Sequence, residues 1–186
     1  MNRKITPILL AVVAFLGLFA FLTQRNRQYD STQDTVPRSA RVLPMESSQF
    51  QQIRIQRDFW NSFALTRQGD GDWRLTEPSD EPVKQEAARR LAQQLADLTI
   101  LTTVDLPTDD SERYREYGLW EPELQIAVTT LEEERNVSIG SMTSDGRGYY
   151  CAVGGVDDVY TIPAEAMRVL AADLSSYRES PAQAGI

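Results

Sequence analysis

The chain has 186 residues, a formal net charge of −8, one cysteine and no histidine. These counts exclude imidazole catalysis, histidine-ligated metals, an intrachain disulfide and cysteine-rich metal sites. The acidic balance argues against a nucleic-acid binder, which needs a basic face to displace counterions. Charge is also divided unequally: residues 1–42 carry six basic and two acidic residues (net +4), and residues 43–186 carry 13 and 25 (net −12).

An uncharged apolar run from Ile5 to Thr23 predicts one N-terminal transmembrane helix, placing residues 5–23 in lipid and giving an anchor over residues 1–23. At 1.5 Å per residue the run spans roughly 28 Å, about the thickness of a bilayer core. A cleaved signal peptide is the alternative, but the run is long for one and lacks a small-residue exit. Small residues that could contact a neighbouring membrane helix are Ala11, Ala14, Gly17 and Ala20.

The charges that flank this segment predict its orientation. Arg3, Lys4 and the terminal amine precede it, whereas Arg25 and Arg27 follow it, a small excess of positive charge on the N-terminal side. The positive-inside rule then places the N-terminus in the cytoplasm and the C-terminal domain in the periplasm, at a bacterial inner membrane. Residues 24–42 are polar with few aliphatic side chains, which predicts a flexible tether.

Residues 43–178 form the predicted acidic domain, and its first half contains three strands and a helix. Alternation predicts strands at Gln52–Gln56, Trp60–Arg67 and Trp73–Thr76. Asp80 is predicted to cap a helix that carries apolar residues at helical spacing as far as Leu98.

The second half is predicted to repeat this order. A short helix over 112–117, ended by Gly118, leads into strands over 123–131, 136–140, 149–153 and 158–162. Pro163 opens a last helix, and residues 179–186 are a predicted frayed tail. We therefore predict an α+β fold, in which two β-β-β-α-like units form an antiparallel sheet with two long helices packed on it.

No residue pattern points to catalysis, a cofactor or a metal. Cys151 lies in a predicted strand with Arg147 as the one local base, so we interpret it as a small core residue. The Asp70-Gly71-Asp72 turn lacks the distal ligands of a calcium loop, and no phosphate-binding loop is present. The sequence therefore predicts a protein that is not an enzyme.

Aromatic residues are the candidate partner surface. They are Trp60, Tyr117 and Trp120. Trp120 lies between the two halves, where a large aromatic side chain either closes the core or contacts a partner.

Several motifs together resemble a bacterial family, domain of unknown function 4340. They are the segments Trp73–Pro78, Leu95–Leu98, Tyr117–Pro122, Val137–Gly140, Tyr149-Tyr150 and Val159-Tyr160. The resemblance implies one N-terminal membrane segment and a place in membrane assemblies, since some members lie beside ABC-transporter and gliding-motility-type components. It supplies no catalytic residues. Many members are longer and carry several copies of the unit, so this single-copy chain departs from the family and a transporter role does not follow.

The sequence thus predicts a non-enzymatic accessory or scaffold subunit of a bacterial membrane complex, either transporter, respiratory or photosynthetic. Its acidic domain favours a basic patch on the partner. The alternative is an extracytoplasmic module that binds a small molecule or peptide in a cleft between the two units. A carboxylate-dependent hydrolase ranks last, because no pair of carboxylates stands out.

Overall fold

A computed structural model describes residues 41–57, 61–104, 111–156 and 158–179. Nine strands within these residues form one antiparallel sheet in the order β4-β3-β2-β1-β6-β7-β8-β9-β5. The strands are β1 (Gln52–Gln56), β2 (Ser62–Arg67), β3 (Trp73–Glu77), β4 (Glu81–Pro82), β5 (Thr102–Val104), β6 (Leu124–Thr129), β7 (Glu134–Met142), β8 (Gly148–Val153) and β9 (Val159–Pro163). The helices are α1 (Gln85–Ala96), α2 (Ser111–Glu116) and α3 (Met167–Leu170).

The main core lies on one face of this sheet, beneath α1 and α3. The period-2 alternation of β1 and β6 places Ile53 and Ile55 opposite Val128 and Ile126, and all four side chains are buried. The apolar stripe of α1, which includes Leu91 and Leu95, packs onto this face. Burial of the stripe, rather than helix propensity, holds a helix of only 12 residues in place.

The strand order corrects the predicted construction from two β-β-β-α units. From the central β1–β6 pair, β2, β3 and β4 follow one another outward on one side, while β7, β8 and β9 follow outward on the other. Each half is therefore a four-strand meander followed by a helix, and β5 is added beyond β9. By position in the sheet, β6 rather than β7 corresponds to β1.

The prediction of two long helices is also wrong. After Pro163 the chain forms a 3₁₀ turn, the four-residue helix α3 and, after an extended Asp173, a second 3₁₀ turn. Tertiary contacts interrupt the helical spacing: the carboxylate of Asp173 pairs with Arg57 at 2.7 Å, and the ring of Tyr177 packs on Phe63 at 5.2 Å between centroids. Burying Tyr177 against the sheet therefore prevails over continuing an exposed helix.

Asp80 does not cap α1, which begins at Gln85 after an extended Lys84. Asp80 instead accepts a hydrogen bond from Arg74 at 2.8 Å, and the next two residues pair with β3 as β4. The side-chain amide of Gln85 continues this pairing, since it accepts from the Trp73 N–H and donates to the Trp73 carbonyl, both at 2.8 Å.

No helix within the described residues is long and apolar enough to cross a bilayer. The predicted transmembrane helix over residues 5–23 lies outside the described residues.

Candidate partner surface

The opposite face of the sheet carries a second, smaller core over β8, β9 and β5. Leu119, Ala152 and Val159 are buried there, and four partly buried side chains pack around them: Val104, Tyr114, Tyr117 and Tyr150. Leu119 reaches this core because its N–H donates to the carbonyl of Tyr114 at 3.0 Å, which closes the last turn of α2. The segment 114–120 is thereby fixed onto the sheet.

Two glycines let segment 114–120 approach β7 closely. Gly118 has a φ of +71°, a conformation that favours glycine, and it lies against Ser141. The carbonyl of Tyr117 accepts a hydrogen bond from the Ser141 N–H at 2.8 Å. A Cβ at Gly140 would collide with that same carbonyl oxygen. This backbone-on-backbone contact, the clamp, holds the segment to the sheet.

Tyr117 and Trp120 leave the clamp in opposite directions. The ring of Tyr117 stacks on Tyr150 of β8, with centroids 4.2 Å apart and an interplanar angle of 26°. Trp120 instead is 59% exposed. Its ring lies beneath the guanidinium of Arg115, whose Cζ is 4.7 Å from the ring centroid, within the range of a cation–π contact.

A shallow depression of about 330 Å³ lies at this point, lined by Arg115, Gly118, Trp120 and Glu121. We call these four residues, with Tyr117 and Tyr150 beneath them, the Trp120 surface. Burial raises the pKa of Tyr150 above its ordinary value, and the nearby phenol of Tyr117 and carboxylate of Glu116 raise it further. Tyr150 therefore presents a neutral phenol at neutral pH.

The structure brings together two of the three aromatic residues that the sequence singles out. Trp60 lies outside the described residues, as do the candidate membrane-helix contacts Ala11, Ala14, Gly17 and Ala20. Sequence reasoning missed Arg115 and Tyr150. The sequence could have indicated Arg115, which lies in a short helix five residues before Trp120. It could not have indicated Tyr150, because the residue on which Tyr150 stacks is 33 positions away.

The rest of the described chain offers little chemistry. No group of His, Cys, Asp or Glu side chains in the described ranges could hold a metal ion. Burial raises the pKa of Cys151 to about 12, because the thiolate would lose its hydration in the core. This thiol faces the main core between β7 and β9 rather than the Trp120 surface.

Comparison with known proteins identifies the family of this chain. Residues 73–181 match the family described as a domain of unknown function (DUF4340), so the chain belongs to that family. The family resemblance expected from the sequence is thus confirmed, while the membrane-anchored, single-copy form stays a prediction. The matched range runs from β3 past α3 and includes the whole Trp120 surface. No curated protein and no solved structure matches the chain.

A first prediction concerns the clamp. Replacing Gly140→Ala forces a methyl group against the Tyr117 carbonyl, so we expect the free energy of unfolding to fall by about 1–3 kcal/mol. Urea unfolding of the full chain in detergent measures it. Gly69→Ala is the control, because a Cβ there meets nothing within 4 Å and the φ is not positive. Equal stability of the two variants would contradict the clamp.

A second prediction concerns the buried thiol. Cys151 should resist a thiol-specific disulfide reagent at pH 8 in the folded protein and react fully once urea unfolds the chain. Because the thiol ionises at its ordinary value of 9.0 when unfolded and at about 12 when folded, the free energy of unfolding should decrease as pH rises between those values. Rapid labelling of the native protein would show that the thiol is accessible.

Proposed function

We propose that this protein is a non-enzymatic accessory subunit of a bacterial membrane complex, and that it docks to its partner through the Trp120 surface. The observation that carries the proposal is a tryptophan held 59% exposed on a segment fixed by backbone contacts. Single exposed apolar side chains are common on protein surfaces, but Trp120 stands beside an arginine and two tyrosines, which is the composition of interface centres.

The composition of the surface supports a docking role. Tryptophan, tyrosine and arginine are the residues enriched at the energetically dominant centres of protein interfaces, and all three occur within segment 114–120. The clamp and the Tyr117–Tyr150 stack order the segment before any partner arrives. Preorganisation of this kind lowers the entropy that binding would otherwise cost.

The location of the domain is part of the same proposal. The apolar run over residues 5–23 would anchor the chain in the inner membrane, and residues 24–42 would let the domain reach a neighbouring subunit. The flanking basic residues support an N-terminus in the cytoplasm and a domain in the periplasm.

The alternative binding module would use a cleft between the two halves, and a cavity of about 450 Å³ does lie at one end of their seam, but its lining is mainly polar rather than apolar as in most ligand sites. Along the seam itself β1 and β6 pair directly over five residues each, as neighbours in a continuous sheet. We therefore retain docking as the proposed function.

The docking proposal predicts that Trp120→Ala separates the protein from its complex. Full-length protein, extracted from its own membranes with a mild detergent, should run on a native gel in a species larger than the monomer. Trp120→Ala should shift it to the monomer position without lowering the urea midpoint, because the ring is largely exposed. The matched control is Leu131→Ala, which removes an 88% exposed apolar side chain from the β6–β7 turn.

Two outcomes would contradict this proposal. One is a wild-type protein that runs alone as a monomer under gentle extraction. The other is a Trp120→Ala variant that stays in the large species to the same extent as Leu131→Ala.

The location is tested separately by a reporter fused after Ile186 that is active only in the cytoplasm. We expect no activity, because the positive-inside rule places the C-terminal domain on the other side of the membrane. Activity of this fusion, measured beside one with the reporter before Met1 as a positive control, would reverse the assigned orientation.

A further inference from the structure

We propose that the Trp120 surface binds an arginine-bearing basic segment of the partner protein. The inference rests on the proposed docking function and deepens it by naming the chemistry of the occupant. It is argued from the ring of Trp120, from the charges around it and from the ion pairs elsewhere in the domain.

The ring of Trp120 already takes a guanidinium as its neighbour. Arg115 lies over the ring at 4.7 Å from the centroid, so the geometry of this contact is accessible to an arginine side chain. An aromatic ring has two faces of negative potential, and Arg115 covers one of them. With 59% of the residue exposed, a second guanidinium from a partner can reach the uncovered part of the ring.

Four carboxylates lie within eight positions of Trp120 along the chain, and one of them, Glu121, lines the depression. Glu112, Glu116, Glu121 and Glu123 are all exposed, and none forms an ion pair within the described residues. The basic residues of this stretch are Arg113 and Arg115, and the guanidinium of Arg115 lies over the ring of Trp120. With four glutamates and two arginines, the stretch 111–123 has a net charge of −2 for a basic partner to neutralise.

Many other arginines of the domain are neutralised internally. Arg54 pairs with Glu77 at 2.8 Å, Arg89 with Asp72 at 2.7 Å and Arg178 with Glu81 at 3.2 Å. Within the described residues, no such partner is present for Glu112, Glu116, Glu121 or Glu123. Charge complementarity thus favours a basic occupant at this place, and the net charge of −12 over residues 43–186 would speed its approach.

Arginine fits this surface better than lysine or a lipid headgroup. A guanidinium is planar and weakly hydrated, so it can stack on an indole and donate to a carboxylate such as Glu121 at the same time. An ammonium is a more strongly hydrated point charge that does not stack in this way. Anionic lipid headgroups would be repelled by the same carboxylates.

The test is a titration of the full-length protein in neutral detergent with three six-residue peptides, of arginine, of lysine and of glutamate. We expect the arginine peptide to bind most tightly, the lysine peptide more weakly and the glutamate peptide not at all. Affinity for arginine should fall with added salt. Trp120→Ala should weaken it by at least about threefold, the order of an exposed cation–π contact.

Matched variants separate this surface from the general acidity of the domain. Glu121→Gln, which removes a carboxylate from the depression, should weaken arginine binding, whereas Glu132→Gln in the β6–β7 turn should leave it unchanged. Trp120→Phe keeps a ring and should retain part of the affinity.

The inference is overturned if Trp120→Ala binds the arginine peptide as tightly as wild type, or if arginine and lysine peptides bind equally. Its failure can be told apart from that of the proposed function. If Trp120→Ala still releases the protein from its native complex but binds the arginine peptide as tightly as wild type, the docking proposal stands. The proposal of an arginine-bearing occupant is then wrong.

Discussion

Antiparallel pairing between β1 and β6 is the contact on which the rest of the structure depends. It joins two meanders into one sheet, although the 67 residues 57–123 separate β1 from β6 along the chain. The buried residues of these two strands form the middle of the main core, and α1 and α3 pack over them. Without this pair each half would be a small sheet with an unpaired edge strand, β1 in one half and β6 in the other. Such a sheet would be too small to bury a core of its own.

The same sheet makes the partner surface possible on its other face. Segment 114–120 has little regular structure of its own beyond the six residues of α2. It is ordered because it packs on the sheet face formed by β7, β8 and β9, with Gly140 at the point of closest approach. Trp120 points outward as a consequence, since Leu119 and Tyr117 on either side of Gly118 take the two inward positions. The exposure of one aromatic residue thus follows from the burial of its neighbours.

Local sequence patterns predicted well where individual strands and helices lie, but they predicted poorly how far an element continues. The alternation around Ile53 and the stripe through Leu91 and Leu95 describe real elements, because period-2 and period-3.6 patterns reflect which side chains one face can bury. The prediction of a second long helix was wrong, since Asp173 pairs with Arg57 after β1 and Tyr177 packs on Phe63 of β2, contacts that no local pattern encodes. Tyr117 and Trp120 were recognisable as unusual aromatics, whereas Tyr150 became part of the site only through the fold.

By itself the sequence determined that histidine chemistry is excluded and which family the chain belongs to. Absence of histidine, a lone apolar cysteine and an uneven distribution of charge are properties of composition, and the motifs from Trp73 onward suffice for membership. Only the tertiary structure decided the strand order and which aromatic faces water. Antiparallel strands with the same alternation can pair in many orders. Two aromatic residues in one loop likewise look equivalent in the sequence until the fold provides a packing site for one of them. Gly140 lets the backbone of Tyr117 approach the sheet, the ring of Tyr117 stacks on Tyr150, and Trp120 stays exposed.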